Sequence, residues 1–125
     1  MRRTLSVVVL IGMISPAPSF AHHSFAMFDR SKVATITGTL KEVQWNNPHV
    51  WLEILVPTAG GGSQEWGIEG GPVVQLKQRG LEKNMLHPGD KLVVKANPLS
   101  NGKPGGSLVS ISRQDGTVIF SDSFR

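Results

Sequence analysis

The sequence predicts an all-β fold, a five-stranded barrel with one short helix between its third and fourth strands. Runs rich in Val, Ile, Leu and Thr recur along the chain, and Gly, Pro or Asn turns separate them. The one helical signal follows Gly70-Gly71-Pro72, because proline suits the first turn of a helix. Three strands, a helix and two further strands, with a bulged first strand, follow the plan of the OB-fold, a partly open Greek-key barrel. A generic antiparallel sandwich is the alternative.

The first two strands carry the clearest alternation of apolar and polar residues. The first is predicted over residues 34–45, and its apolar residues change parity after Leu40, which indicates a β-bulge near Lys41. The turn at residues 46–48 leads into a second strand over residues 49–56. Successive side chains of a strand point to opposite faces. The predicted core face holds Val50, Leu52, Ile54 and Val56, and the opposite face holds His49, Trp51 and Glu53.

The remaining elements are shorter. The helix is predicted over residues 72–80, with glycine as its C-terminal stop. The other predicted strands cover residues 64–69, 91–96 and 108–113, with a long polar loop at residues 97–106 and a short tail at residues 117–120. In an OB-fold, the loops after strands one and four flank the usual binding face.

The first 21 residues have the three regions of a secretory signal peptide. Two arginines precede an apolar run at residues 5–14, and a small-residue stretch with two prolines follows at residues 15–21. Cleavage between Ala21 and His22 satisfies the small-residue rule. The apolar run is about half as long as a membrane-crossing helix. We therefore expect a periplasmic or secreted protein with no stable membrane anchor.

Removal of the signal would leave an extended arm over residues 22–33 and a single domain over residues 34–125. Without the two arginines of the signal, the 13 basic residues fall to 11, against nine acidic ones. This weak positive charge argues against nucleic acid as a partner. The chain has no Cys, so its stability rests on a packed core rather than on disulfides.

Cleavage before His22 would create a metal-binding terminus. The free α-amine and the imidazole of this residue can chelate one metal, and a further imidazole completes the three-nitrogen histidine brace that suits Cu(II). That imidazole could come from His49, or from His87, which its Pro-Gly context favours as a turn residue. His23 is a weaker candidate, because adjacent side chains of an extended arm point apart. The predicted ligands of a copper cofactor are His22, His49 and His23, and the alternative is a solvated arm without metal.

The second constellation lies at residues 45–51, where two tryptophans and a histidine surround a tight turn. We interpret Trp45, Asn47 and Trp51 as candidate ligand-binding residues at the mouth of the barrel. The alternative is that the tryptophans cover a barrel end and that His49 caps the turn. No Ser-His-Asp order or carboxylate pair stands out, so we do not expect an enzyme.

Three stretches resemble a family of small exported bacterial proteins of unknown function. They are residues 21–29 (AHHSFAMFD), 36–40 (ITGTL) and 45–51 (WNNPHVW). The resemblance spans essentially the whole mature chain and implies an exported single domain, and it supplies no established activity or catalytic residue. A looser similarity links His22 and a distant histidine to the copper sites of exported copper carriers and polysaccharide monooxygenases, although this chain has no Tyr.

The sequence therefore predicts a periplasmic binding protein that holds Cu(II) at its mature N-terminus. The alternative is a metal-free module that binds an exported partner protein or a small ligand through the loop of residues 45–51. Oligomeric state is not specified by any of these patterns.

Overall fold

The structure, a computed structural model, describes residues 27–122. The predicted signal peptide, His22 and His23 lie outside these residues. Within the described part, no helix is long and apolar enough to cross a membrane. The elements are β1 (Ala34–Gln44), β2 (Trp51–Pro57), β3 (Ser63–Glu69), α1 (Val73–Gln78), β4 (Lys91–Pro98), β5 (Gly105–Arg113) and β6 (Val118–Ser121), with a 3-10 turn at Lys83–Met85.

Five of the strands close into a barrel. Antiparallel ladders join them in the order β3-β2-β1-β4-β5, and β6 extends the sheet beyond β5. β3 also pairs in parallel with β5, residues 67–69 against residues 105–107, and this closes the sheet on itself. α1 connects β3 to β4 in the chain. The predicted OB-fold-like barrel is confirmed, and the sandwich alternative is wrong because the sheet has no second layer.

The predicted bulge in β1 is also confirmed. Leu40 pairs with Ile54 and Glu42 pairs with Glu53, so Lys41 is the extra residue between two regular pairs. The insertion restores the inward direction of the apolar residues that follow, which is why the parity of the sequence changes there. It also leaves Lys41 on the outer surface, within reach of β3.

The strand parities predicted the core correctly. Leu52 and Ile54 are fully buried, as are their neighbours across the barrel, and α1 contributes Leu76. Burial of a side chain of this size stabilises the fold by about 1.5–3 kcal/mol. The buried apolar residues are Ile36, Leu40, Val50, Leu52, Ile54, Ile68, Leu76, Leu81, Leu86, Leu92, Val94, Ala96, Leu108, Ile111 and Phe120.

The polar stretch that was predicted as a long loop, residues 97–106, is shorter than predicted. β4 and β5 extend into it, so that only residues 99–104 connect them. Asn97 is buried there because its side-chain amide donates to the backbone carbonyl of Lys32 at 2.8 Å. The predicted tail at residues 117–120 pairs with β5 as β6 and places Phe120 in the core. Polarity misled the prediction at residues 97–98 and 105–106, because backbone pairing rather than apolar burial fixes them.

The described part of the N-terminal arm is fixed to the end of β4. The backbone N–H of Asp29 donates to the carbonyl of Pro98 at 2.8 Å, and that of Ser100 donates to the carbonyl of Met27 at 2.9 Å. The arm therefore runs antiparallel to residues 98–100. It enters the fold beside the β4–β5 loop.

Candidate ligand-binding site

The outer surface of β2 and β3 carries several of the residues that the sequence singled out. His49, Trp51 and Glu53 alternate with buried residues, as predicted, but the strand begins at Trp51, so His49 precedes β2 rather than opening it. In the β2–β3 ladder, Trp51 stands opposite Glu69 and Glu53 stands opposite Gly67. Directly opposed residues of an antiparallel pair share a face of the sheet. One surface therefore presents an indole, a glycine and carboxylates.

Gly67 allows the indole of Trp51 to lie against the sheet. A Cβ built on Gly67 would stand 2.3 Å from Cζ2 of Trp51, so any larger residue would displace the ring. Glycine inside a strand weakens it, and its presence often marks the close approach of another group. Here that group is the indole, which crosses the backbone of β3 and stays partly exposed.

A second glycine continues this surface. Gly105, at the start of β5, pairs with Gly67 across the parallel ladder. A Cβ built on Gly105 would stand 2.8 Å from Cδ1 of Leu99. Trp51 and Leu99 therefore rest on two neighbouring glycines and form the walls of a depression with a glycine floor. We call this depression the Trp51 groove.

The Trp51 groove has a volume of about 430 Å³. Its lining combines apolar and charged side chains around the glycine floor: Trp51, Leu99 and Pro104, and Glu53, Glu65 and Lys103. It lies between the outer face of β2 and β3 and the β4–β5 loop, which is the region where OB-folds bind their ligands. Position in the fold does not by itself establish a function, which depends on the chemistry of the lining.

The bulge residue Lys41 organises the charges at one side of the groove. Its ammonium lies 3.0 Å from a carboxylate oxygen of Glu65 and 3.2 Å from one of Glu53. The hydrogen bond to Glu65, and then the one to Glu53, raises the pKa of Lys41 above its ordinary value. The hydrogen bond from Lys41 lowers the pKa of Glu65. Both carboxylates therefore share one cation and are held as acceptors beside Trp51.

His49 lies on the same outer face, two residues before Trp51. Its Nδ1 is 3.2 Å from the carbonyl oxygen of Gly70 and 3.3 Å from Oε1 of Glu69. Both of these partners accept hydrogen bonds, so Nδ1 is the ring nitrogen that donates to them. Metal-binding histidines are commonly oriented in this way, by a carboxylate or carbonyl on the other ring nitrogen.

The structure does not assemble a complete metal centre from residues 27–122, where no group of three or more His, Cys, Asp or Glu side chains could hold an ion. Of the predicted copper ligands, only His49 falls within this part. His87 has the turn position that its context favoured: its backbone N–H donates to Oδ2 of Asp90 at 2.9 Å, and its ring is largely exposed.

The other two predicted ligand-binding residues lie away from the Trp51 groove. Trp45 is partly buried and packs against the core. The side-chain oxygen of Asn47 accepts the backbone N–H of Val73 at 3.0 Å, which satisfies one of the unpaired donors at the start of α1. Of the three residues, the structure brings only Trp51 to the groove.

Sequence reasoning missed most of the groove. Gly67 gave a signal, because an isolated glycine within a strand pattern indicates a bulge or a close approach. Leu99 and Pro104 gave none, since they lie in a stretch that was read as a polar loop. Their contribution to the lining of the groove depends on the parallel pairing of β3 with β5, which no local sequence pattern indicates.

Comparison with known proteins gives a family and a distant structural neighbour. The model of a family of unknown function, DUF6152, matches residues 10–109. No curated protein matches the chain. Among solved structures, the chain is similar to the mitochondrial single-stranded DNA binding protein Rim1 from S. cerevisiae, with 12% identity and a TM-score of 0.48 over 72% of this chain and 96% of that one. Similarity at this level carries no argument about function.

Proposed function

Since the chain belongs to DUF6152, a family of unknown function, we propose its function from its geometry: an exported, non-enzymatic module that binds a small ligand in the Trp51 groove. The observation that carries the proposal is the indole of Trp51 on the bare backbone of Gly67. A strand tolerates glycine at a cost of roughly 0.5–1 kcal/mol relative to alanine. That cost is offset where the glycine leaves room for a flat aromatic wall in a concave site.

The lining indicates an uncharged saccharide as the ligand. A sugar ring offers an apolar C–H face that packs on an indole and a rim of hydroxyl groups. Hydroxyls donate to carboxylates, such as those of Glu53 and Glu65, and accept from an ammonium group such as that of Lys103. Because Lys41 and Lys103 together match the charge of the two carboxylates, a neutral ligand needs no counter-charge of its own. The same carboxylates oppose a nucleic-acid strand.

The test uses neutral tetrasaccharides and a chain with one fluorescent reporter. In the variant Trp45→Phe/Trp66→Phe, only Trp51 remains, and cellotetraose, maltotetraose and chitotetraose are titrated against its fluorescence. Calorimetry on the unmodified chain gives the affinity. We expect Trp51→Ala to weaken binding by at least about tenfold, as for a central aromatic contact, and Trp66→Phe to leave it unchanged. Equal affinity in Trp51→Ala, or no binding of any of the three sugars, would refute the saccharide site.

A second candidate function is Cu(II) binding, and the position of His49 favours it. Glu69 and Gly70 contact Nδ1 of its ring, and metal-binding histidines are commonly oriented by a carboxylate or carbonyl on one ring nitrogen. The arm is fixed from Met27 onward, so the five residues 22–26 would have to bring His22 to this face. An extended chain of that length spans about 17 Å.

The copper candidate depends on processing, and both are tested together. Mass spectrometry of the exported protein should give a chain that begins at His22. Titration with Cu(II) should then show weaker binding for a chain with one extra N-terminal Gly, because the α-amine is misplaced, and for His49→Ala. His87→Ala is the matched control and should bind as the parent does. Equal copper affinity with and without the extra Gly would exclude the brace.

A further inference from the structure

A second cavity lies at the place where β5 changes its neighbour. The parallel ladder between β3 and β5 ends at Glu69 and Ser107. Farther along, β6 lies beside β5, and the backbone N–H of Asp122 donates to the carbonyl of Val109 at 2.8 Å. Leu108 therefore lies between these two pairings, and the cavity opens there, with α1 at its side. We call it the Glu69 cavity.

The Glu69 cavity has a volume of about 230 Å³, and its lining residues all differ from those of the Trp51 groove. Pockets for drug-sized ligands usually measure about 300–1,000 Å³, so this cavity suits a smaller molecule. Its buried side chains are apolar and come from α1, β5 and β6, whereas its charged side chains are two carboxylates and a guanidinium. The former are Leu76, Leu108 and Phe120, and the latter are Glu69, Asp122 and Arg79.

Glu69 carries the charge that the rest of the lining does not balance. Arg79 and Asp122 form an ion pair, in which Nη1 of the guanidinium donates to Oδ1 of the carboxylate, so these two charges cancel. The side chain of Glu69 is only 13% exposed, and Nδ1 of His49 lies 3.3 Å from its Oε1. Within residues 27–122, the structure gives Oε2 of Glu69 no hydrogen-bond or ionic partner. A carboxylate so far removed from water is costly unless it is paired, so the cavity favours a cation.

The remaining chemistry of the lining narrows the class of cation. An ammonium group has three N–H donors and no acceptor, which suits a carboxylate that only accepts. The buried apolar side chains suit a hydrocarbon tail, because its removal from water is favourable. A carboxylate on the ligand would add negative charge beside Glu69 and Asp122, so an amine fits better than an amino acid. We propose that the Glu69 cavity is a second binding site, which takes a small primary ammonium ion with a short hydrocarbon tail. The saccharide proposal and this one do not depend on each other.

The experiment follows the backbone amide signals of Gly70, Gly71 and Ser107, which line the cavity, by NMR. n-Butylammonium chloride is added to the unmodified chain at neutral pH, and we expect saturable shifts at these three amides. n-Butanol and n-butyrate, which have similar tails without the cation, should give none. Ammonium chloride, which lacks the tail, should bind at least about tenfold more weakly. Norvaline, which is n-butylammonium with a carboxylate added, should also bind more weakly.

A pair of variants tests the contact with Glu69. Glu69→Gln keeps the shape of the side chain and removes its charge, so it should weaken binding of n-butylammonium at least about tenfold. Glu82→Gln is the matched control, because this carboxylate is about half exposed, lies near Lys77 and does not line the cavity. Thermal melting first shows that both variants are folded.

Equal affinity of Glu69→Gln and the parent for n-butylammonium would refute the site. On the unmodified chain, the absence of a saturable shift would refute it as well. Binding of n-butyrate, n-butanol or norvaline as tight as that of n-butylammonium would overturn the assignment to amines. Because the comparison of ligands needs no variant, it decides the proposal even if Glu69→Gln does not fold.

Discussion

Replacement of Gly67 by alanine tests the central contact of the groove. The new Cβ would stand 2.3 Å from Cζ2 of Trp51, and ordinary contact begins at 3.4 Å, so the ring has to move by more than 1 Å. Overpacking of this kind costs about 1–3 kcal/mol. The gain of roughly 0.5–1 kcal/mol from removing a glycine within a strand offsets only part of it. We therefore expect Gly67→Ala to lower the free energy of unfolding by about 1–2 kcal/mol.

Thermal unfolding measures this change in stability, and a double-mutant cycle shows whether it arises from the contact with Trp51. For a domain of this size, 1 kcal/mol corresponds to a shift in Tm of roughly 4–8 °C. In a Trp51→Ala background the clash is absent, so Gly67→Ala should become neutral or slightly stabilising. Gly62→Ala is the matched control, because its Cβ would meet nothing closer than Thr58 Oγ1 at 3.5 Å. An equal loss of stability with and without Trp51 would show that the indole does not explain the glycine.

Three further predictions concern the parts that support the groove. Asn47→Ala removes the acceptor at the start of α1 and should cost about 1 kcal/mol in chemical denaturation, whereas Asn46→Ala should cost nothing. Lys41→Met should return the pKa of Glu65, measured by NMR, toward its ordinary 4.5. Because the pKa of Glu65 is lower in the folded state, its ion pair with Lys41 stabilises the fold at a pH above the unfolded pKa. This stabilisation is lost as the pH falls through the folded pKa. Leu52→Ala should cost about 2–5 kcal/mol in the free energy of unfolding, and the same truncation at the exposed valine of β6 should leave it unchanged.

Much of the barrel was predictable because its signals are local. The alternation of residues 49–56 depends on the two-residue period of a strand, which any fold must respect once one face is buried. The bulge at Lys41 appeared as a change of parity within a single strand. The helix signal at Pro72 needed only the geometry of the first helical turn.

The parts that escaped prediction depend on partners that are distant in sequence. Asn47 acts through Val73, and Asn97 acts through Lys32, so neither role is visible in the neighbouring residues. The Trp51 groove exists because the parallel ladder sets Gly67 beside Gly105. A composition rich in glycine and polar residues, considered alone, predicts a loop. Only the tertiary pairing of β3 with β5 makes these glycines the floor of the Trp51 groove.

The parallel ladder between β3 and β5 also determines when the groove exists. Strands that are distant in the chain must meet to form it, so it closes late in folding, and we expect its short run of pairs to open before the antiparallel ladders do. A ligand that bridges Trp51 and Leu99 spans both sides of this junction and binds only while it is shut. By mass action, such a ligand holds the junction closed. Hydrogen exchange at the amides of residues 67–69 and 105–107 would then slow on binding more than exchange elsewhere. The rate of local opening of the barrel would therefore report whether the Trp51 groove is occupied.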